Sequence, residues 1–166
     1  MAFHVLFVCS GNTCRSPLAE GVARSLLQNE SREFEVSSAG TFAMDGGCAS
    51  SGSLEVAREN GLDLESFTTQ RLTSEVLDRA DLVLVMEPGH RSGVLGLSPV
   101  ADTKTWLLGE VSGHRGPEAA VADPFGGSLD SYRRTFQKIA KLIREGLPRI
   151  LELAERKAQH SQGEST

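Results

Sequence analysis

The sequence predicts an α/β domain: an open, mostly parallel four-stranded sheet in three layers, flanked by helices, with an anion-binding loop after the first strand. Three observations predict it. Phe3 to Val8, broken only by His4, and Leu82 to Met86 are short apolar runs with the length and composition of strands covered on both faces. Segments of helical periodicity alternate with the strand-like ones. The final third of the chain carries one extended amphipathic pattern, in which Leu129, Tyr132, Phe136, Ile139, Leu142, Ile143, Leu147, Ile150 and Ala154 recur at helical spacing.

The elements follow in order. After the first strand, Cys9-Ser10-Gly11-Asn12-Thr13-Cys14-Arg15-Ser16 forms a loop, and Pro17 stands at a first helical position. The helix it opens is expected to run from Ser16 or Pro17 to about Asn29. Phe34, Val36 and Ser38 alternate with polar neighbours, which predicts a second strand ending at Ala39-Gly40. A strand, a helix and a strand imply a right-handed crossover and a parallel pair, so both following loops lie at the edge where open α/β sheets bind ligands.

Thr41 to Ser53 reads as an irregular surface loop, and Leu54 to Glu59 as a short helix with Gly61 just past its end. Thr73 is the expected cap of another helix, with Glu75 in its first turn. Pro88 is expected to start a helix that ends near Gly96, and Thr103 to Leu108 to form the last strand, with Trp106 in the core. Gly109 to Ala122 reads as a long polar loop that delivers Asp123. Ser128 is the expected cap of the final helix, which Gly146 and Pro148 are expected to kink or interrupt. At 166 residues one domain is expected, over 1–158, with a frayed tail over 159–166.

Composition excludes several function classes. Hydrophobic residues make up 39% of the chain and charged ones 23%, with a net charge of −5 and no basic stripe, which argues against a nucleic-acid partner. No apolar stretch is long enough for a membrane span. Three cysteines give no disulfide framework, no secretory leader is evident, and a reducing, cytoplasmic setting is expected. His4, His90, His114 and His160 are scattered, so no metal site is expected.

The chemistry concentrates in the first loop. A strand end joined to a helix start gathers free backbone N–H groups and the positive end of the helix dipole, and such a place binds anions. Five residues separate Cys9 from Arg15, enough backbone to curl around one tetrahedral anion. Arg15 can clamp two phosphate oxygens with its planar fork, and the same field favours the thiolate of Cys9 as a nucleophile. Ser16 can donate its hydroxyl to that sulfur. The expected reaction is displacement at phosphorus through a covalent phosphocysteine.

The string CSGNTCRSPLAEG resembles the phosphate loop of the low-molecular-weight protein tyrosine phosphatase family. Ser38-Ala39-Gly40-Thr41 and Asp123-Pro124-Phe125-Gly126-Gly127-Ser128 agree with that family too, and the resemblance covers about Phe3 to Arg156. It implies that Asp123 is the general acid for the leaving group and later the base for water. It also implies that Asn12 holds the loop in shape, that the backbone of Ser10, Gly11, Asn12, Thr13 and Cys14 cradles phosphate with Arg15 and Ser16, and that Phe42 walls the pocket. Cys14 becomes a candidate partner for a reversible disulfide with Cys9, with packing as its alternative role. No metal or organic cofactor is implied.

In substrate choice the motifs are most similar to the bacterial protein arginine phosphatase branch, through Thr13 and through Phe125 in DPFGGS. Threonine is shorter than the isoleucine usual in tyrosine-directed members, and its hydroxyl can meet a planar guanidinium. Expected partners are phosphorylated proteins, phosphoarginine favoured and phosphotyrosine also accepted, with inorganic phosphate as product and inhibitor and the chain a monomer. The alternatives are an ordinary phosphotyrosine phosphatase, an arsenate reductase of the same fold, which lacks its resolving cysteines here, or a non-catalytic phosphate-binding module.

Overall fold

The computed structural model describes residues 1–164. Four strands, β1 (Phe3–Cys9), β2 (Phe34–Gly40), β3 (Leu82–Val85) and β4 (Thr105–Leu107), form one sheet in the order β2-β1-β3-β4, and every neighbouring pair is parallel. Helices α1 (Arg15–Leu27), α2 (Ser51–Glu59), α3 (Ser74–Arg79), α4 (Pro88–Leu97) and α5 (Leu129–Gly163) complete the architecture.

Alternation along the two central strands explains the three layers. Phe3, Val5, Phe7, Leu82 and Leu84 join the core shared with α1, α2 and α5, whereas Leu6, Val8, Val83 and Val85 join a second core with α3 and α4. Both faces of β1 and β3 are therefore dry, which is why their sequences read as continuous apolar runs. The strand order reverses between β1 and β3, and the carboxyl ends of those strands flank the crevice where open sheets take ligands.

Several boundaries differ from expectation. The helix after the 41–50 loop starts three residues early, because Ser50 caps it by accepting the Ser53 N–H. Its C-terminal turn ends at Asn60 and Gly61, whose φ of 73° is the left-handed value glycine tolerates. The last strand is short. Pro99–Lys104 is a 3₁₀ helix, held by Thr105 Oγ1 donating to the Ala101 carbonyl and by Lys104 Nζ donating to the Leu77 and Ala80 carbonyls, so only three residues reach the sheet. Trp106 is half-buried against the core, with Arg149 over its ring at 5.6 Å.

The stretch from Gly109 to Ala122 is not an open polar loop. Two 3₁₀ turns, Leu108–Ser112 and Gly116–Ala119, bury Leu108, Val111, Ala119 and Val121. Gly109 is required there, since a Cβ would sit 2.4 Å from Ala119 Cα. Gly146 and Pro148 do not interrupt α5, which runs unbroken for 35 residues. Gly146 instead makes room for Val111, whose Cγ2 would lie 2.7 Å from an added Cβ, and Ile143, Ile150 and Ala154 remain buried on either side of the proline. The expected frayed tail is corrected as well: α5 continues to Gly163, so the expected boundary at 158 falls inside a helix, with the Glu164 N–H still bonded to the His160 carbonyl. Only 165–166 of that tail lie outside the described residues.

Candidate active site

The loop leaves β1 at Cys9 and enters α1 at Arg15, and its shape is set by one buried amide. Asn12 has φ 56°, a left-handed value that asparagine tolerates better than most residues. Its Nδ2 donates to Ser16 Oγ at 2.7 Å and to Ser38 Oγ at 2.9 Å, and its Oδ1 accepts the Gln70 N–H at 2.8 Å. Ser16 Oγ lies 2.9 Å from Cys9 Sγ. Since that oxygen already accepts from Asn12, the serine hydrogen is left to donate to the sulfur. The loop is closed from outside by the Ser38-Ala39-Gly40-Thr41 segment: the Thr41 and Phe42 N–H groups donate to the Cys9 and Ser10 carbonyls. Gly40 has to be glycine, because a Cβ would meet the Ser10 carbonyl oxygen at 2.4 Å.

Arg15 is 2% exposed and held by groups from the end of β3 and from the segment after the second 3₁₀ turn. Its Nη1 donates to Glu87, just past β3, and to the Val121 carbonyl at 2.9 Å; its Nη2 lies 3.5 Å from Asp123 Oδ2. Val121 in turn donates its N–H to the Met86 carbonyl at 2.8 Å, which is how the 3₁₀ segment is tied to the sheet and Asp123 is delivered. Asp123 Oδ1 accepts the Phe125 N–H at 3.0 Å. Among the described residues, Arg15 Nε is the one buried side-chain polar atom without a hydrogen-bond partner. A buried donor of that kind is costly, and an oxyanion in the loop is the natural acceptor.

These groups surround a cavity of about 270 Å³, lined by Cys9, Ser10, Gly11, Thr13, Cys14 and Arg15 from the loop and by Phe42, Asp123 and Phe125 from its rim. Asn12 and Ser16 stand behind the cradle, buried, rather than in it. Phe42 is 86% exposed and Phe125 73% exposed, so the rim is open to a large substrate. Cys14 and Cys9 are both free thiols with separate partners: Cys14 Sγ lies 3.3 Å from Ser50 Oγ and 3.5 Å from Tyr132 OH. Cys48 is exposed and free. Among the described residues no cluster of histidine, cysteine and carboxylate side chains could hold a metal, and no helix is long and apolar enough to cross a membrane.

Sequence reasoning missed Glu87, Gln70, Ser50 and Tyr132, which the fold brings to the loop from distant segments. It also took His90 only as a scattered histidine. A usable signal existed for Glu87 and His90: they directly follow the apolar run of β3, which in a parallel sheet ends at the same edge as β1.

Residues 4–159 match the family model described as low molecular weight phosphotyrosine protein phosphatase. A protein-arginine-phosphatase of Bacillus subtilis is 37% identical over 142 residues, covering 85% of this chain and 92% of the relative. The low molecular weight protein-tyrosine-phosphatase PtpB of Staphylococcus haemolyticus is 39% identical over 140 residues, covering 84% and 94%. A crystal structure of a YwlE mutant from Bacillus subtilis superposes with a TM-score of 0.82 at 36% identity, covering 91% of this chain and 99% of that one.

Proposed function

The chain belongs to the low molecular weight phosphotyrosine protein phosphatase family, and from that membership we propose that it hydrolyses phosphorylated protein side chains through a phosphocysteine intermediate, with phosphoarginine favoured and phosphotyrosine also accepted. The observation that carries this reading is the meeting of Cys9, a buried Arg15 with an unpartnered Nε, and the Asp123 carboxyl group around one cavity. In the first step the Cys9 thiolate attacks phosphorus, the bond to the substrate oxygen or nitrogen breaks, and Asp123 gives its proton to the departing atom. In the second, Asp123 takes a proton from water as that water attacks phosphorus, the P–S bond breaks, and phosphate leaves with the thiolate restored. Arg15 and the loop N–H groups bear the charge on the equatorial oxygens in both steps.

The preference for phosphoarginine is supported by Thr13 in the cavity wall and by two aromatic side chains at the rim on which a planar guanidinium can stack. An arginine leaving group is a far stronger base than a phenolate, so its departure depends more strictly on proton delivery by Asp123. Inorganic phosphate fits the same cradle and competes with substrate. Under peroxide, Cys9 oxidises to a sulfenic acid that condenses with the Cys14 thiol, releasing water, once Cys14 leaves Ser50 and Tyr132. Side-by-side kinetics on a phosphoarginine and a phosphotyrosine peptide test the substrate reading. The Thr13→Ile variant is expected to lose phosphoarginine turnover relative to phosphotyrosine; an unchanged ratio removes the preference for arginine.

A further inference from the structure

The turn that starts α4 touches the catalytic loop at both of its ends. Glu87 takes Arg15 at the end that enters α1. Three residues later, buried His90 places Nε2 2.8 Å from the Oγ of Ser10, the residue next to the nucleophile. The direction of that bond follows from the other ring nitrogen. Nδ1 lies 3.0 Å from the backbone N–H of Glu87, which can only donate, so Nδ1 accepts and the ring hydrogen sits on Nε2. The charged groups facing the ring agree with a neutral form: burial and the Arg15 guanidinium hold His90 below its ordinary range, and the carboxylates of Glu87 and Asp123 oppose them without prevailing.

Nε2–H therefore donates to Ser10 Oγ, which leaves the serine's own hydrogen free. Ser10 lines the cavity, and a hydroxyl that accepts one hydrogen bond becomes a better donor of the next. A protonated ring would set Nδ1–H against the Glu87 N–H, donor facing donor, and release this arrangement.

We propose that His90 is a positioning residue for phosphoryl transfer: as the Nε2–H tautomer it holds the Ser10 hydroxyl as a donor to the phosphoryl oxygens, while Glu87 from the same turn holds Arg15. This rests on the reading of the cavity as a phosphatase site and adds a requirement that reading lacks. Both ends of the loop are registered against a single helical turn, so the shape of the cradle depends on a residue 80 positions from Ser10.

The test joins kinetics on p-nitrophenyl phosphate with nitrogen NMR of the imidazole. H90A is expected to lower kcat about tenfold, the value of one well-made hydrogen bond, with KM little changed. S10A is expected to lose a similar factor, and the double variant no more than either alone. H90Q carries an amide N–H at about the reach of Nε2 and is expected to recover most of the loss. In the wild-type enzyme at neutral pH the His90 spectrum is expected to show a protonated Nε2 and a bare Nδ1. A protonated Nδ1, an H90A variant at the wild-type kcat, or an H90Q variant no better than H90A overturns the proposal. An inactive Cys9→Ser control beside a fully active H90A defeats this inference alone; an active Cys9→Ser defeats the phosphatase reading with it.

Discussion

The loop between β1 and α1 and the rim of its pocket are built on opposite principles. Asn12, Arg15 and Ser16 are buried, and Asn12 and Arg15 are bonded to groups from four other segments, at Ser38, Gln70, Glu87 and Val121, so the cradle has one shape before any substrate arrives. Phe42 and Phe125 stand mostly in solvent at the mouth of the same cavity, and the Asp123 side chain is 46% exposed. The difference teaches where each property resides. Charge stabilisation needs preorganised donors in a dry site, whereas recognition of varied protein surfaces tolerates exposed, adaptable side chains.

That contrast can be broken or sharpened by substitution. The largest effect is expected for Asp123→Asn, which keeps the shape of the rim and removes the proton: kcat is expected to fall about 10²- to 10⁴-fold, more for phosphoarginine than for phosphotyrosine, with Tm unchanged. Equal losses on both substrates would argue against a role matched to the leaving group. Asn12→Ala strikes the buried side. It strands the Gln70 N–H and removes the donor to Ser16, so chemical denaturation is expected to show a loss of roughly 2–4 kcal/mol together with a large fall in kcat.

Glu20 gives a pH-dependent version of the same contrast. It lies buried on the helix that leaves the loop, and burial raises its carboxyl to about 7, with Arg24 partly opposing. The folded state therefore holds a proton that the unfolded chain gives up near 4.5. The contribution to stability is full below that value and is lost as pH rises through about 7. Glu20→Gln is expected to stabilise the protein by roughly 2–3 kcal/mol near pH 8 and to do little near pH 4, as read by Tm across that range. Phe42→Ala at the rim is expected to have the smallest effect: a few-fold rise in KM for peptide substrates, stability within about 0.5 kcal/mol, and unchanged turnover of p-nitrophenyl phosphate. A large loss on the small substrate would place Phe42 in the chemistry rather than the recognition.

Much of the fold is legible where one physical signal dominates. β1 and β3 are apolar because both faces are covered, Thr73 and Ser128 announce their helices by capping, and Pro88 opens α4. The 3₁₀ segments around β4 are not legible, because their stability comes from side chains such as Lys104 reaching carbonyls on another helix. Pro148 misleads because tertiary packing on both sides outweighs the lost hydrogen bond. In the site, Cys9, Arg15 and the backbone cradle follow from local spacing alone. Glu87, His90, Gln70 and Tyr132 do not, since polar residues on separate elements acquire meaning only when the sheet order sets them side by side.

The most direct test of the central claim is to trap the covalent adduct. The Asp123→Ala variant, acid-quenched during turnover of a phosphopeptide and mapped by peptide mass spectrometry, is expected to carry the phosphoryl group on Cys9, with Arg15→Lys sharply reducing its formation. Phosphate found on another residue, or turnover with no phosphoenzyme and with inverted configuration at phosphorus, would contradict the account.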